Sequence, residues 1–244
     1  MATSTTTTTA ESPIITPEPR QSVQAFLIKN SKVIVGVAVG IIIGIAAWAL
    51  YNSFVKEPNE VKSGDLVFPA ENLFDKMAVT GFSKDTVGIV LNGGNVNGET
   101  VTGLLKIYNN YGGTAAANRA AYMIGASYLH IGEFDKAIKY LKAFEGKDAT
   151  QVATKCYEML GHAYAEKKDV NEALNYYKKA ASENAKDEFF TADALFLAAQ
   201  YAEANGKNDD AIIMYKRLRD DYPTSTAVLS GDIDKYLARL GIFE

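Results

Sequence analysis

Gly125–Leu141 reads GASYLHIGEFDKAIKYL, and Gly161–Ala180 reads GHAYAEKKDVNEALNYYKKA. The second stretch repeats the first at an offset of 36 residues, and a weaker copy around Ala199 follows 38 residues later. In each copy a small residue is followed by a turn residue and then by an alanine at fixed distances. Repetition at such a period indicates helix pairs that stack on one another, because one pair cannot bury its apolar face alone.

The residue types at matching positions explain how the two helices of a pair, A and B, would fit together. A small residue in each helix would stand where the helices touch, since a larger side chain would push them apart. Tyrosines would fill the wider gaps between pairs, and Pro223 would stop the last repeat. The matched positions are Gly125, Gly161 and Ala199 in helix A, Gly132, Lys168 and Gly206 at the turn, Ala137, Ala173 and Ala211 in helix B, and Tyr128, Tyr164, Tyr177 and Tyr215 between pairs.

Over residues 118–223 this register resembles the tetratricopeptide repeat (TPR), a unit of two antiparallel helices. The sequence departs from the family pattern where helix A usually begins with a large aromatic residue, which is Ala121 in the first repeat and Leu195 in the third. The resemblance implies an all-α solenoid of about three repeats that binds other proteins.

Segments on both sides of the repeats extend the predicted solenoid. Residues 104–114 parallel residues 215–223 and are interpreted as helix B of a degenerate leading repeat, whose helix A is predicted at 70–79. After the repeats, Ile233, Tyr236, Leu237 and Leu240 recur at helical spacing and predict a capping helix. The predicted boundaries are a disordered tail at 1–31, a transmembrane helix at 32–52, a linker at 53–69, the leading repeat with a Gly/Asn loop at 70–117, the TPRs at 118–223 and the capping helix at 224–244.

The transmembrane prediction rests on Val33–Tyr51, which contains no charged residue. At 1.5 Å per residue this stretch is about 28 Å long, close to the hydrocarbon thickness of a bilayer. A cleaved signal peptide is the alternative, because Ala47 and Ala49 form an A-x-A pattern, although some 30 residues precede the apolar stretch. A buried helix of a soluble protein is a second alternative, but such a helix usually has a polar face.

Charged and small residues suggest how this helix would be oriented and packed. The basic residues Arg20, Lys29 and Lys32 precede it, and only Lys56 and Lys62 follow within a short distance, which favours a cytoplasmic N-terminus. Small residues at every fourth position would share one helix face, where another membrane helix could pack closely. These residues are Gly36, Gly40 and Gly44.

Composition and motifs argue against catalysis and against nucleic-acid binding. The formal net charge is -4, whereas a nucleic-acid binder needs a clustered basic face. Gly93–Thr100 resembles the setting of a phosphate-binding loop, but Glu99 stands where the lysine should be, so we predict neither nucleotide nor any other cofactor. Cys156, His130 and His162 lack an orienting group in sequence, and we predict no catalytic or metal site.

The TPR resemblance implies that the A helices line a concave groove for a peptide. We expect an extended or helical ligand with basic and apolar character, with the alternative that this face is only solvated and the interface lies elsewhere. Protonation of two histidines on this face would make it less acidic near pH 6. The predicted groove residues are Tyr122, Leu129, His130, Lys155, Glu158, His162, Glu166, Asp193, Phe196, Gln200 and Glu203.

The order of segments, together with the turn Tyr111–Thr114 and the alanine-rich helix after it, is similar to the YfgM-like ancillary subunits of the bacterial Sec translocon. This resemblance implies a single-pass inner-membrane protein whose TPR domain faces the periplasm, near the translocon and periplasmic chaperones. The alternative is a structural adaptor in another envelope assembly, such as a secretion, motility or division machine.

Overall fold

The computed structural model describes residues 26–147, 149–185 and 187–243. Two short strands, β1 (Gly93–Val96) and β2 (Glu99–Thr102), form an antiparallel hairpin, and the rest of the regular structure is helical. The helices are α1 (Ser31–Tyr51), α2 (Glu57–Thr80), α3 (Lys84–Asn92), α4 (Leu104–Asn110), α5 (Ala115–His130), α6 (Phe134–Ala143), α7 (Thr150–Glu166), α8 (Val170–Glu183), α9 (Glu188–Ala204), α10 (Asn208–Asp221), α11 (Thr226–Leu229) and α12 (Asp232–Arg239), with Asn52–Lys56 π-helical.

Helix α1 belongs to the first of two compact units, Met1–Val55. Its 21 residues give a length of about 31 Å, and none of them is buried within the chain. Among the described residues, one helical stretch is long and apolar enough to cross a membrane, and it includes α1. The predicted disordered tail lies outside the described residues up to position 25, but residues 26–29 are helical, which corrects that prediction for its end.

The predicted linker at 53–69 is wrong, because this segment is helical. Its residues up to Lys56 are π-helical, and those from Glu57 onward belong to α2. Pro58 and two glutamates in the first turn of α2 favour a helix start. The backbone N–H that proline lacks has no acceptor within the helix at this position, and acidic side chains interact favourably with the positive end of the helix dipole. Pro69 lies inside α2 and removes one backbone hydrogen bond. Burial of residues on both sides of this proline, including Val67 and Ala70, holds the helix together.

The β-hairpin replaces the loop that we predicted between the helices of the leading repeat. Asn97 and Gly98 at its tip have φ values of 52° and 85°, as a two-residue type I′ turn requires. Gly103 follows the hairpin where the backbone passes close to α3: an added Cβ would lie 2.3 Å from the carbonyl carbon of Asn92. Glycine therefore allows the close approach of two backbones, and the phosphate-loop interpretation is not needed to explain this segment.

Three antiparallel pairs, α5–α6, α7–α8 and α9–α10, pack in sequence order and confirm the predicted solenoid. The small residues lie at the contacts within pairs, as predicted. An added Cβ on Gly125 would lie 2.5 Å from Cγ of Leu141, and one on Gly161 would lie 2.4 Å from the ring of Tyr177. The matched alanines Ala137, Ala173, Ala199 and Ala211 are fully buried. The three predicted turn residues, Gly132, Lys168 and Gly206, have positive φ values.

The C-terminal end of the solenoid is closed as the sequence predicts. Helix α10 ends at Asp221, two residues before Pro223, and the short helix α11 leads into α12. Ile233 and Leu237 of α12 are almost completely buried in the cluster that also holds Tyr215 and Leu218 of α10. Helix α12 therefore covers the apolar surface on which a further repeat would otherwise pack.

Candidate functional site

A groove with a cavity of about 590 Å³ opens between α2, α5 and α7 in the second compact unit, Lys56–Glu244. This volume is in the range of sites that hold a ligand or a few side chains of a partner. Its walls carry apolar side chains from α2, α5, α7 and the connection between α6 and α7, and charged side chains lie among them. The apolar residues are Phe74, Tyr122, Met123, Phe144 and Val152, and the charged ones are Glu71, Asp75, Arg119 and Glu145.

Hydrogen bonds hold the wall formed by the α6–α7 connection against α5. The side chain of Asn118 donates to the carbonyl oxygen of Glu145 at 2.8 Å and accepts from its amide at 2.7 Å. The rings of Tyr122 and Phe144 then lie 5.6 Å apart across the groove wall. Because the two-sided amide pairing fixes the loop, the groove is formed in the free protein, which reduces the ordering cost of binding.

Helix α2 is fixed against α5 by two contacts at different heights. The carboxylate of Glu60 accepts from the amide of Ala115 in the first turn of α5, at 2.9 Å. Farther along, Arg119 donates to Glu71 at 2.6 Å. These contacts set the helices side by side, so that Phe74 of α2 faces the groove beside Met123 of α5.

The charge that remains in the groove is acidic. Arg119 is neutralised by Glu71, whereas no cation among the described residues bonds Asp75. Glu145 has only Lys147 at 4.0 Å, and both side chains are largely exposed, so this pair contributes little. Burial raises the pKa of Tyr122, so its hydroxyl stays neutral and can donate or accept a hydrogen bond. The groove thus combines an apolar surface with free carboxylates.

Of the predicted groove residues, only Tyr122 lies in this groove. In the first repeat, His130 stacks on Phe82 with ring centroids 3.7 Å apart, and Leu129 is half-buried beside the core. In the second repeat, Lys155 and Glu158 form an ion pair at 2.8 Å, and Glu166 is exposed. Lys155 and Glu158 are thus engaged with each other, whereas His130 and Glu166 are exposed.

In the third repeat, α12 contacts three of the side chains that were predicted to line the groove. Gln200 donates to the hydroxyl of Tyr236 at 2.9 Å, Glu203 accepts from Arg239 at 2.6 Å, and the ring of Phe196 lies 5.6 Å from that of Tyr236. Phe196, Gln200 and Glu203 therefore do not line an open surface. Asp193 is exposed beside a separate small cavity near Tyr222.

The predicted pH response of the two histidines is not supported by their surroundings. His162 shares a hydrogen bond of 2.9 Å with the hydroxyl of Tyr177, while His130 lies against Phe82. Removal of water from the rings lowers the pKa of both histidines, which keeps them neutral over more of the range near pH 6. The two side chains contact different elements, so they do not form one acid-sensitive surface.

The surroundings of Cys156 favour its protonated thiol. It is buried, its thiol donates to the carbonyl oxygen of Leu141 at 3.3 Å, and burial raises its pKa to about 12. A thiol with such a pKa is protonated at neutral pH and unreactive. Within residues 26–147, 149–185 and 187–243, no cluster of three or more His, Cys, Asp or Glu side chains could hold a metal ion.

Sequence-family comparison agrees with the geometry of the helix pairs. Residues 119–148 and 193–225 match one family model described as a tetratricopeptide repeat, and residues 154–187 match a second one. The three helix pairs are tetratricopeptide repeats. TPRs are protein-interaction modules, and a search of curated proteins found no match to the chain.

Most of the groove could not be predicted from the expected groove positions, because part of its wall comes from α2 and from the connection between α6 and α7. Phe74 and Asp75 belong to the helix of the leading repeat, and Phe144 and Glu145 belong to a connection between helices. The position of a loop side chain does not follow from helical periodicity. Phe74, however, lies in the predicted helix at 70–79, so extending the groove to that helix would have included it.

Proposed function

We propose that this protein is a membrane-anchored TPR scaffold, without catalytic activity, that binds a basic and apolar segment of another protein in the groove between α2, α5 and α7. The preformed groove with its free carboxylates is the observation that carries this proposal. One leucine side chain buried there would contribute about 1.5–3 kcal/mol. A lysine of the ligand next to this leucine would form an ion pair with Asp75 or Glu145.

Lysine at position 152 is expected to block this binding. Val152 lies in the groove and is 37% exposed, so Val152→Lys introduces a positive charge without opening the core. We expect the full chain in neutral detergent to bind a dye-labelled peptide of four Lys-Ser-Leu units, and Val152→Lys to weaken it about tenfold, or about 1.4 kcal/mol. Fluorescence anisotropy measures both dissociation constants.

Ile213→Lys is the matched control, because Ile213 is 65% exposed on α10 and lies outside the groove. It adds the same charge to the same fold and is expected to leave the dissociation constant unchanged. Equal affinities of Val152→Lys and Ile213→Lys for the peptide would show that the groove is not the binding surface.

We further propose that α1 anchors the protein in the bacterial inner membrane with its N-terminus cytoplasmic and its TPR domain periplasmic. The apolar, unburied helix supports the anchor, and the excess of basic residues before it supports the orientation. Gly36, Gly40 and Gly44 would form a face on which a partner membrane helix packs; in the chain alone, nothing lies within 4 Å of an added Cβ at any of the three.

A reporter fused after Glu244 tests this topology. We expect a phosphatase that is active only in the periplasm to be active in this fusion. The chain without the phosphatase, recovered from membranes, is expected to keep its full mass of 26.5 kDa. An inactive phosphatase fusion would place the TPR domain in the cytoplasm. A shorter chain that begins near residue 50 would show that the apolar stretch is a cleaved signal peptide.

We propose the surroundings of the Sec translocon and periplasmic chaperones as the place of action. The order of tail, anchor, degenerate repeat, three TPRs and capping helix supports this, through its similarity to YfgM-like subunits. Affinity capture in mild detergent is expected to recover Sec subunits together with unfolded envelope proteins. Recovery of one fixed secretion, motility or division machine would favour the adaptor function instead.

A further inference from the structure

A second recess, separate from the peptide groove in its chemistry, lies between α6, α7 and α8. It is a cleft of about 150 Å³ whose lining includes the rings of Tyr157 and Tyr176 and the side chains of Lys142 and Lys179. The two rings lie 6.3 Å apart in a tilted arrangement. The cleft therefore combines aromatic surfaces with two cationic side chains.

Both lysines rest on tyrosine rings. The ammonium group of Lys142 donates to the hydroxyl of Tyr164 at 2.7 Å and lies 5.6 Å from the ring centroid of Tyr176. Lys179 lies 4.8 Å from the same centroid, and the rings of Tyr164 and Tyr176 are stacked 5.4 Å apart. A ring attracts a cation but carries no net charge, so the rings that the two ammonium groups contact leave both positive charges unneutralised.

The carboxylates of neighbouring helices do not neutralise these two lysines. Asp135 on α6 is paired with Lys167 at 2.6 Å, and Asp210 on α10 is paired with Lys178 at 2.6 Å. Within the part of the chain that the structure describes, no carboxylate lies within ion-pair distance of either Lys142 or Lys179. Glu183 is near enough to Tyr157 to contribute to raising its pKa, but it forms no ion pair across the cleft.

The first repeat has a related aromatic pair with a different arrangement of lysines. Tyr128 and Tyr140 occupy the positions of Tyr164 and Tyr176 and are also stacked, with centroids 5.8 Å apart. There Lys136 lies over Tyr128 but is paired with Glu133 at 3.1 Å, while Lys139 lies 5.0 Å from the ring centroid of Tyr140. One of the two lysines in the first repeat is therefore ion-paired, whereas both lysines at the junction of the first and second repeats, Lys142 and Lys179, contact the rings without a carboxylate partner among the described residues.

We infer that this cleft binds a carboxylate side chain from an acidic segment of a partner protein, so that the TPR domain has a second binding surface with the opposite charge preference to the groove. The two ammonium groups would bond the carboxylate oxygens, and the tyrosine rings would contact its methylene groups. A recess of about 150 Å³ has room for about one side chain, whereas a bilayer surface would contact only its rim. This separates an acidic polypeptide from an anionic lipid as the occupant.

The test uses the full chain in neutral detergent and a dye-labelled peptide of four Glu-Ser-Leu units. We expect Lys142→Met/Lys179→Met to weaken binding about tenfold or more, since both charges are lost while the unbranched side chains still cover the rings. Lys142→Arg/Lys179→Arg keeps the charges and is expected to stay within about threefold of the original affinity.

The double methionine variant should bind the Lys-Ser-Leu peptide as the unchanged protein does and keep its near-ultraviolet circular dichroism, which separates loss of the cleft from loss of the fold or of the groove. Unchanged binding of the Glu-Ser-Leu peptide by this variant would overturn the inference. Failure of the unchanged protein to bind the Glu-Ser-Leu peptide would also overturn it. Binding of phosphatidylglycerol vesicles through these lysines, without competition from that peptide, would overturn it as well.

Discussion

Replacing Tyr215 by alanine is expected to lower the free energy of unfolding by about 3–5 kcal/mol. Tyr215 is 0% exposed, its ring is stacked on Tyr236 of α12 with centroids 5.1 Å apart, and its hydroxyl donates to Glu203 at 2.9 Å. Alanine would leave a cavity between the third repeat and α12 and would remove one bond to a carboxylate. Urea unfolding of the full chain in detergent, followed by near-ultraviolet circular dichroism, measures the change.

Tyr215→Phe separates packing from hydrogen bonding at the same position. It keeps the ring and loses only the bond to Glu203, which still accepts from Arg239, so we expect a loss of about 1.5 kcal/mol. If the alanine and phenylalanine variants lose equal stability, the ring does not hold the capping helix in place. The order of the two losses therefore tests the role assigned to Tyr215.

The repeats could be predicted because their packing depends on residue size at fixed positions. Gly125, Gly161 and Ala199 mark the contacts in helix A, and the structure places each of them in the interior of a helix pair. The turn residue Lys168 was also predicted, although its φ of 64° is unusual for a residue with a side chain. Register alone identifies it, since glycines stand at the same position in the other two repeats.

The first part of the second unit could not be predicted to the same degree. A linker was predicted at 53–69 because this segment is polar and mixed in composition. Its helical state depends on contacts far away in sequence, such as the bond from Ala115 to Glu60 and the burial of Val67. Local propensity does not carry that information, because packing of one helix face supplies most helical stability in proteins.

The cavity lies mostly away from the residues that the repeat register predicted for the groove. The cavity between α2, α5 and α7 shares only Tyr122 with the predicted groove residues. Generic register could not show that α12 would cover Phe196, or that the connection after α6 would carry Phe144 into the wall. Both depend on segments that have no counterpart in the repeat pattern.

Gly161→Ala is expected to destabilise the protein although alanine is the better helix former. The added methyl group would lie 2.4 and 2.5 Å from two ring carbons of Tyr177, which is buried between α7 and α9 and bonded to His162. The ring cannot move aside without shifting α8, so we expect a loss of about 1–3 kcal/mol from overpacking. Gly64→Ala in α2 is the matched control, since nothing lies within 4 Å of a Cβ there.

Comparison of these two variants by urea unfolding tests most directly whether small residues set the nesting of the helix pairs. We expect changes of stability with opposite signs: Gly161→Ala unfolds at lower urea concentration than the original protein, and Gly64→Ala gains roughly 0.5–1 kcal/mol from reduced backbone entropy. A gain of stability in both variants would contradict this expectation, because Gly161 would then be an ordinary helix glycine and not the contact on which the repeat is built.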